Sequence, residues 1–300
     1  MNYFAVDIGG TFEKFAVINS EGEFLAKDKI PSIIDDRQRF LDSIENQFHA
    51  YEKMYGKLAG IAISMAGVLD VERGYAYNAG AILSVREMNI AEYFSGRCKV
   101  PVTIENDAKA AAQAELWKGN LSDVSNGVVI VLGTAIGGAV IVDRKIVRGK
   151  HFFAGEFSYV MRGDHRNADI SNMWGYSGGT LGLVKMTAEK KNIPEEELDG
   201  FKVFELVNSG DEEAMDIFRD YCAGLAYRIW NLHAVLDPDR ILIGGGISAQ
   251  PILLETVREE LDKVAAIQPN DQKAPEVMTC RFFNDSNMIG ALYAHLLRNP

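Results

Sequence analysis

The chain has 300 residues, a size at which one hydrophobic core commonly divides into two. Its formal net charge of -11 argues against a protein that neutralises nucleic-acid phosphates, since such proteins concentrate Lys and Arg. No apolar run reaches the ~18 residues of a membrane span, and the first residues lack the basic flank and apolar stretch of a secretory signal. We therefore expect a cytoplasmic α/β protein whose partners are small molecules or proteins, with no nucleic acid and no membrane among them.

The first predicted elements form an antiparallel meander. Phe40, Leu41, Ile44 and Phe48 fall at helical spacing and predict a helix over 37–55. Apolar runs predict strands at 3–8, 12–18, 23–30, 58–65 and 100–104, and the alanine-rich stretch predicts a helix at 108–117.

The same plan then recurs further along the chain. The stretch "GVVIVLGTAIGGAVIVDRKIVRG" repeats the order of "YFAVDIGGTFEKFAVINSEGEFLA": strand, glycine-rich reversal, strand, tight turn, strand. Helices are expected at 181–191, 212–235, after Pro251 and at 288–297, and strands at 240–246 and 277–282. The repetition predicts two duplicated lobes with a cleft between them.

Glycines cluster at three places: "DIGGT", "LGTAIGG" and "IGGGIS". Glycine in such reversals can simply supply positive φ. That explanation does not account for paired glycines beside a threonine, Thr11 or Thr134, in two equivalent turns. We therefore expect both turns to donate backbone N–H groups to the phosphates of a polyphosphate. The third cluster lacks the Walker lysine and the GxGxxG spacing, so it supports neither a P-loop nor a dinucleotide fold. We expect its glycines to offer a flat surface against which an adenine ring can lie.

Acidic residues end two apolar strands, at Asp7 and at "ENDAKAAA". Taken alone, Asp107 is best explained as the N-cap of the alanine-rich helix. With Asn106 beside it and two phosphate turns elsewhere, a catalytic role for Asp107 becomes the better interpretation. Glu105 has no assigned role.

The motifs "DIGGT", "ENDAKAAA", "LGTAIGGAVI", "AGEF", "ILIGGGIS" and "NMIGALYAHL" occur in this order over essentially the whole chain. Together they resemble the ROK family of sugar kinases and repressors. The resemblance implies an actin-like, ribonuclease H-like duplicated two-lobe sugar kinase fold with an interlobe cleft. It places a small lobe at 1–118 plus 288–300, on the sugar and catalytic side. The large lobe at 119–287 carries the nucleotide side and dimerisation, and a homodimer is expected.

The resemblance also implies roles for individual residues. Asp107 looks like the general base that accepts the proton of the attacking sugar hydroxyl, and Asp7 is expected near Mg²⁺ and the transferring phosphate. Sugar contacts are expected from Asn78, Asn106, Asp107, Glu156 and Tyr159. ATP contacts are expected from Asp7, Gly9, Gly10, Thr11, Lys14, Gly133, Thr134, Gly137, Gly244, Gly245 and Gly246.

The chain departs from the family pattern where many members carry the zinc motif "CxCGxxGCxE". Tyr159 stands at the position of a histidine, Met173 approximately at that of a glutamate, and no cysteine is present there. His151 and His165 lie nearby without thiolates, so we expect no zinc. Ala135 replaces a glycine of the usual turn, which is tolerated unless φ must be positive there.

Aromatic residues occupy the stretch where the zinc motif is absent: Phe157, Tyr159, Trp174 and Tyr176. They either form a surface that stacks on a substituent at the first carbon of the sugar, or pack the loop in place of zinc. The first interpretation favours a β-glucoside as the substrate of a 6-hydroxyl kinase. Glucokinase and N-acylhexosamine kinase are the alternatives within the class, and a non-catalytic sugar sensor is the alternative outside it.

Overall fold

The computed structural model describes residues 1–163, 166 and 169–299, and the chain forms two compact units. The first unit contains Met1–Ser122, Arg148–Ala154 and Asn284–Pro300. The second contains Asp123–Val147 and Gly155–Phe283. The stretch Arg148–Ala154 thus belongs to the first unit, although the division expected from the sequence assigns it to the large lobe.

The helices and strands have the following bounds. The strands of the first unit are β1 (Asn2–Ile8), β2 (Phe12–Asn19), β3 (Phe24–Pro31), β4 (Ile61–Met65), β5 (Leu69–Asp70), β6 (Tyr75–Ala76), β7 (Met88–Asn89) and β8 (Val102–Asn106). Those of the second are β9 (Gly127–Leu132), β10 (Ile136–Val142), β11 (Lys145–Ile146), β12 (Arg240–Gly244) and β13 (Val277–Thr279). The helices are α1 (Arg37–Tyr55), α2 (Ile90–Cys98), α3 (Asp107–Lys118), α4 (Trp174–Gly178), α5 (Thr180–Lys191), α6 (Gly200–Asn208), α7 (Glu212–Leu236), α8 (Pro251–Ala266) and α9 (Ser286–Arg298).

Both units are built on a five-stranded sheet of the same plan. In the first unit the order is β3-β2-β1-β4-β8, and in the second it is β11-β10-β9-β12-β13. In each sheet the three meander strands are antiparallel and the remaining two are parallel to the first strand of the meander. The duplication predicted from the sequence is therefore confirmed.

Helix α1 shows why the periodic pattern predicted its bounds. Asp36 accepts a hydrogen bond from the backbone N–H of Arg39 and so caps the first turn. Phe40, Ile44 and Phe48, spaced by four residues, are fully buried against the sheet of the first unit. Burial of each such side chain contributes about 1.5–3 kcal/mol.

Helices α3 and α9 pack closely in the first unit. A Cβ added to Gly290 would lie 1.6 Å from the carbonyl oxygen of Ala110, so the two helix backbones are in direct contact. Only glycine fits there, and the alanines of α3 remove bulk from the facing surface. The helix that begins at Asp107 is thereby fixed along most of its length.

Three helices were not predicted: α2, α4 and α6. None of the helices in the described residues has the length and hydropathy needed to cross a membrane. Cys98, Cys222 and Cys280 are buried free thiols.

Candidate active site

Asn106 and Asp107 lie where the parallel strand β8 gives way to α3. Oδ1 of Asn106 accepts a hydrogen bond from the backbone N–H of Lys109 at 3.2 Å, so Asn106 caps the helix. The alternative in which Asp107 itself caps the helix is therefore wrong by one residue. Asp107 is the first residue of the helix, and its Oδ1 accepts from the N–H of Ala108 at 2.8 Å. At this position the positive end of the helix dipole favours an ionised carboxylate.

The amide of Asn106 is also held from the other side. Its Nδ2 donates to the carbonyl oxygen of Gly67 at 3.1 Å. Gly67 has a φ of +122°, and a Cβ there would lie 2.3 Å from the carbonyl oxygen of Asn78. The Oδ1 of Asn78 in turn accepts from the N–H of Val68 at 3.0 Å. The structure thus brings Asn78, Asn106 and Asp107 together around one turn, with Asn78 exposed and Asp107 half-buried.

Asp7 ends β1 as a buried carboxylate, 4% exposed, with three donors around it. Lys14, its partner across β1 and β2, places Nζ 3.0 Å from Oδ2. Ser64 Oγ and Asn287 Nδ2 donate to Oδ1 at 3.2 and 2.9 Å. Lys14, expected among the ATP contacts, therefore balances the charge of Asp7. A carboxylate has about four lone-pair sites, so one remains for a cation such as Mg²⁺.

Ser64 and Asn287 were missed by the sequence analysis. Ser64 is the only polar residue within the apolar strand "IAISM", and Asn287 opens the motif "NMIGALYAHL". A lone polar residue near the end of a parallel strand, next to the strand that ends in Asp7, is the signal that could have identified Ser64.

The two glycine turns do not owe their glycines to positive φ. Gly9, Gly10, Gly133 and Gly137 all have negative or extended φ, so the steric explanation considered for them is wrong. The N–H of Gly9 donates to the carbonyl oxygen of Phe12 at 3.0 Å. Thr11 and Thr134 are exposed at the tips of the turns. Ala135 does not need positive φ, so its replacement of glycine leaves the turn intact.

In the second unit the turn "LGTAIGG" lies against the cluster "IGGGIS". Gly245 has a φ of +93°, and a Cβ there would lie 2.2 Å from the carbonyl oxygen of Leu132. Gly179, in the stretch "SGGT", was not singled out by the sequence analysis. A Cβ there would lie 2.5 to 2.8 Å from the carbonyl oxygens of residues 133–135. The turn at Gly133 and Thr134 and the cluster Gly244–Gly246 therefore lie next to each other, with backbone packed against backbone.

Glu156 is placed beside β10 by another close approach of backbones. Gly155 has a φ of +80°, and a Cβ there would lie 3.0 Å from the carbonyl oxygen of Gly138. Ser158 then donates to the carbonyl oxygen of Ile136 at 2.5 Å and fixes the following turn. Glu156 is half-buried, and Tyr159 is 51% exposed.

The aromatic surface predicted after Glu156 is partly wrong. Phe157 and Trp174 are 5% and 1% exposed and stack on each other at 5.9 Å in the core of the second unit. Tyr159 and Tyr176 remain about half exposed. Phe157 and Trp174 therefore pack the core of the second unit, and of the four aromatic residues only the two tyrosines are accessible to a ligand.

The described residues include no group of three or more His, Cys, Asp or Glu placed to hold a metal ion. His151 is exposed, and His165 lies outside the described residues.

Known proteins are similar to this chain over nearly its whole length. The ROK family model matches residues 3–297. The chain belongs to the ROK family. It is 29% identical to the β-glucoside kinase of Klebsiella pneumoniae over 100% of this chain and 98% of that one. It is 26% identical to the glucokinase of Halalkalibacterium halodurans, over 96% and 93% of the two chains.

Among solved structures, a ROK family protein from Streptococcus pneumoniae TIGR4 in complex with sucrose superposes with a TM-score of 0.89. It is 27% identical and covers 100% of this chain and 99% of its own. These matches confirm the family, the duplicated sugar-kinase fold and the class predicted from the sequence, an ATP-dependent carbohydrate kinase. ATP and Mg²⁺ are the cofactors that this class implies.

Proposed function

We propose that this ROK kinase phosphorylates the 6-hydroxyl of a hexosyl glycoside, with a β-glucoside as the preferred substrate. The observation that carries the proposal is the carboxylate of Asp107 at the first position of α3, beside the doubly held amide of Asn106. Hydroxyl phosphorylation requires mainly alignment and charge stabilisation, which one fixed carboxylate and a set of hydrogen-bonding groups supply.

Asp107 is assigned the role of general base. Its carboxylate accepts the proton of the 6-hydroxyl as the oxygen attacks. The carboxylate interacts favourably with the positive end of the helix dipole. Asn106 has used one lone pair and one N–H in holding the turn, so one of each remains for adjacent sugar hydroxyls. Asn78 and Glu156 are assigned further sugar hydroxyls.

The glycine surfaces fit the phosphates and the adenine of ATP. Gly246 is exposed and a Cβ there would meet nothing within 4 Å, so the backbone there lies open to a flat ligand. Thr11 and Thr134 offer exposed hydroxyls at the turns, which suits phosphate oxygens. Asp7 has the lone pair that Mg²⁺ requires. When bound, ATP supplies the phosphoryl group and Mg²⁺ balances the charge on its phosphates.

The preference for a glycoside rests on Tyr159 and on the relatives. Tyr159 is about half exposed, and an aromatic face stacks against a sugar ring or an aglycone. The likeness to a β-glucoside kinase and to a protein crystallised with sucrose supports a substrate substituted at the first carbon. The likeness to a glucokinase favours free glucose as the second candidate.

The test of the general base is Asp107→Asn. The amide cannot accept the proton, so kcat should fall about 10²- to 10⁴-fold while the glycoside still binds. Asp216→Asn, an exposed carboxylate on α7, is the matched control and should leave kcat unchanged. Unchanged turnover of Asp107→Asn would show that another group accepts the proton.

The substrate is identified by coupled ADP-release assays with glucose, cellobiose, aryl β-glucosides, sucrose, fructose and N-acetylmannosamine. A β-glucoside should give the highest kcat/KM. Tyr159→Ala should raise KM for an aryl β-glucoside more than for glucose, whereas Tyr227→Ala, an equally exposed tyrosine on α7, should change neither. If glucose is used better than every glycoside, the protein is a glucokinase.

The remaining assignments follow the family. We propose a homodimer acting in the cytoplasm, where ATP is available, with the catalytic carboxylate in the first unit and the adenine surface and dimer contacts in the second. Light scattering after gel filtration should give twice the 33.1 kDa of the chain.

A further inference from the structure

A small cavity in the second unit lies between α4, α5 and α7, and Arg162 also lines it. Its volume is about 90 Å³. That is about three times the ~30 Å³ that one water molecule occupies in the liquid. Pockets for drug-sized ligands start at roughly 300 Å³. The cavity is therefore too small for a hexose or a nucleotide, but it is large enough for a small ion or a few water molecules.

Two buried donors at this cavity lack a hydrogen-bond partner among the described residues. One is the indole Nε1 of Trp174, a residue only 1% exposed. The other is the Oγ of Ser177, one turn further along α4. Both residues line the cavity. Buried polar atoms in native proteins are rarely unpaired, and those that are usually indicate a bound water or ion.

The cavity also carries positive charge. Arg228 of α7 is half-buried with its guanidinium 5.5 Å from the centre of the Trp174 ring, and Arg162 lines the same space. Within the described part of the chain, no carboxylate forms an ion pair with either arginine. Burial and the neighbouring charge of Arg162 lower the pKa of Arg228. Asp220 lies at the rim, but its carboxylate is paired with Lys190 at 2.6 Å.

A water molecule could satisfy the two donors, but it would leave the half-buried guanidinium charge of Arg228 without a counterion. An oxyanion accepts hydrogen bonds from the indole N–H, the hydroxyl and the guanidinium groups at once. We propose that this cavity binds a small oxyanion of the size of inorganic phosphate, held by Arg228, Arg162 and the indole N–H of Trp174. The bound anion links Arg162 and Trp174 to α7.

The experiment measures thermal unfolding of the full chain in sodium chloride and in sodium phosphate at matched ionic strength. Phosphate should raise Tm of the wild type, and the concentration dependence gives its Kd. Arg228→Gln should weaken this stabilisation at least about tenfold because it removes a charge-assisted donor. Arg219→Gln, on the same helix with an exposed guanidinium 3.9 Å from Asp216, should keep the full effect.

Two further variants separate this cavity from other phosphate sites. Arg162→Gln alters an exposed side chain and should weaken binding without affecting the fold. Trp174→Phe keeps an aromatic side chain but removes the indole N–H, so it should weaken binding as well. Phosphate bound elsewhere would stabilise all variants equally. Sulfate should act like phosphate, and acetate more weakly. Equal stabilisation of wild type, Arg228→Gln and Arg162→Gln, or no stabilisation of the wild type, would overturn the proposal.

Discussion

The carboxylate of Glu105 accepts two hydrogen bonds from the guanidinium of Arg148, at 2.9 and 2.6 Å. Glu105 is 1% exposed, and Arg298 lies 3.7 Å from the same carboxylate. The backbone N–H of Asn106 also donates to it, at 3.0 Å. This buried pair therefore fixes the residue immediately before the helix cap, and it explains why Arg148–Ala154 belongs to the first unit.

Loss of Arg148 should be costly. Arg148→Met leaves the charge of Glu105 buried with only the more distant Arg298 to balance it, and should reduce the free energy of unfolding by about 3–5 kcal/mol. Denaturant titration measures this. The double variant Glu105→Gln with Arg148→Met should recover part of the loss, because the buried charge is gone.

The matched control for this pair is Lys27→Met. It breaks an ion pair of 2.6 Å between Lys27 and Asp285, both substantially exposed, and should cost less than about 1 kcal/mol. Similar losses for Lys27→Met and Arg148→Met would mean that burial does not govern the strength of the Glu105 pair.

The cap at Asn106 should matter for turnover as well as stability. Asn106→Ala removes the hydrogen bonds to Lys109 and Gly67 and should cost about 1–2 kcal/mol. Asp107 then loses its fixed position, so kcat should also fall. Asn89→Ala removes an equivalent cap, the 3.0 Å bond to the N–H of Glu92 at the start of α2, and should cost about 1 kcal/mol without changing kcat. Equal kcat values for both variants would argue against this positioning role.

Two neighbouring glycines should respond differently to alanine. At Gly245 the φ of +93° and the contact with Leu132 both exclude a side chain, so Gly245→Ala should cost at least about 2 kcal/mol and raise KM for ATP. At Gly246 a Cβ meets nothing within 4 Å, and stability should change by less than about 1 kcal/mol. Thermal unfolding and ATP kinetics distinguish them, and a tolerated Gly245→Ala would show that the loop can move away.

His295 should make the first unit sensitive to acid. Burial, with a smaller contribution from the charge of Arg298, lowers the pKa of His295 to about 4. Between about pH 6.5 and 4 the unfolded chain binds a proton that the folded chain does not, so stability falls as the pH falls. At 1.36 kcal/mol per unit the loss reaches at most about 3 kcal/mol.

His295→Gln should flatten the dependence of the unfolding free energy on pH in this interval, measured by urea titration at several pH values. His49→Gln, in which the replaced side chain is 51% exposed, should leave the dependence as it is in the wild type. An unchanged slope in His295→Gln would place the acid-sensitive group elsewhere.

Local periodicity predicted most of the helices and strands, including the bounds of α1. It could do so because a helix with one buried face carries apolar residues three and four positions apart. The sequence could not decide between Asn106 and Asp107 as the cap, since both side chains cap helices equally well. It could not pair Glu105 with Arg148, which are 43 residues apart. Nor could it tell the buried Phe157 and Trp174 from the exposed tyrosines, because aromatic residues serve in cores and in binding sites alike.

The close contact between α9 and α3 has a consequence for biosynthesis. Residues 284–300 complete the first unit, yet they leave the ribosome after the whole second unit. Until then α3 lacks the helix that packs against Ala110, and Asp7 lacks the amide of Asn287. The nascent first unit therefore keeps apolar surface exposed until residues 284–300 emerge, whereas the second unit can already fold.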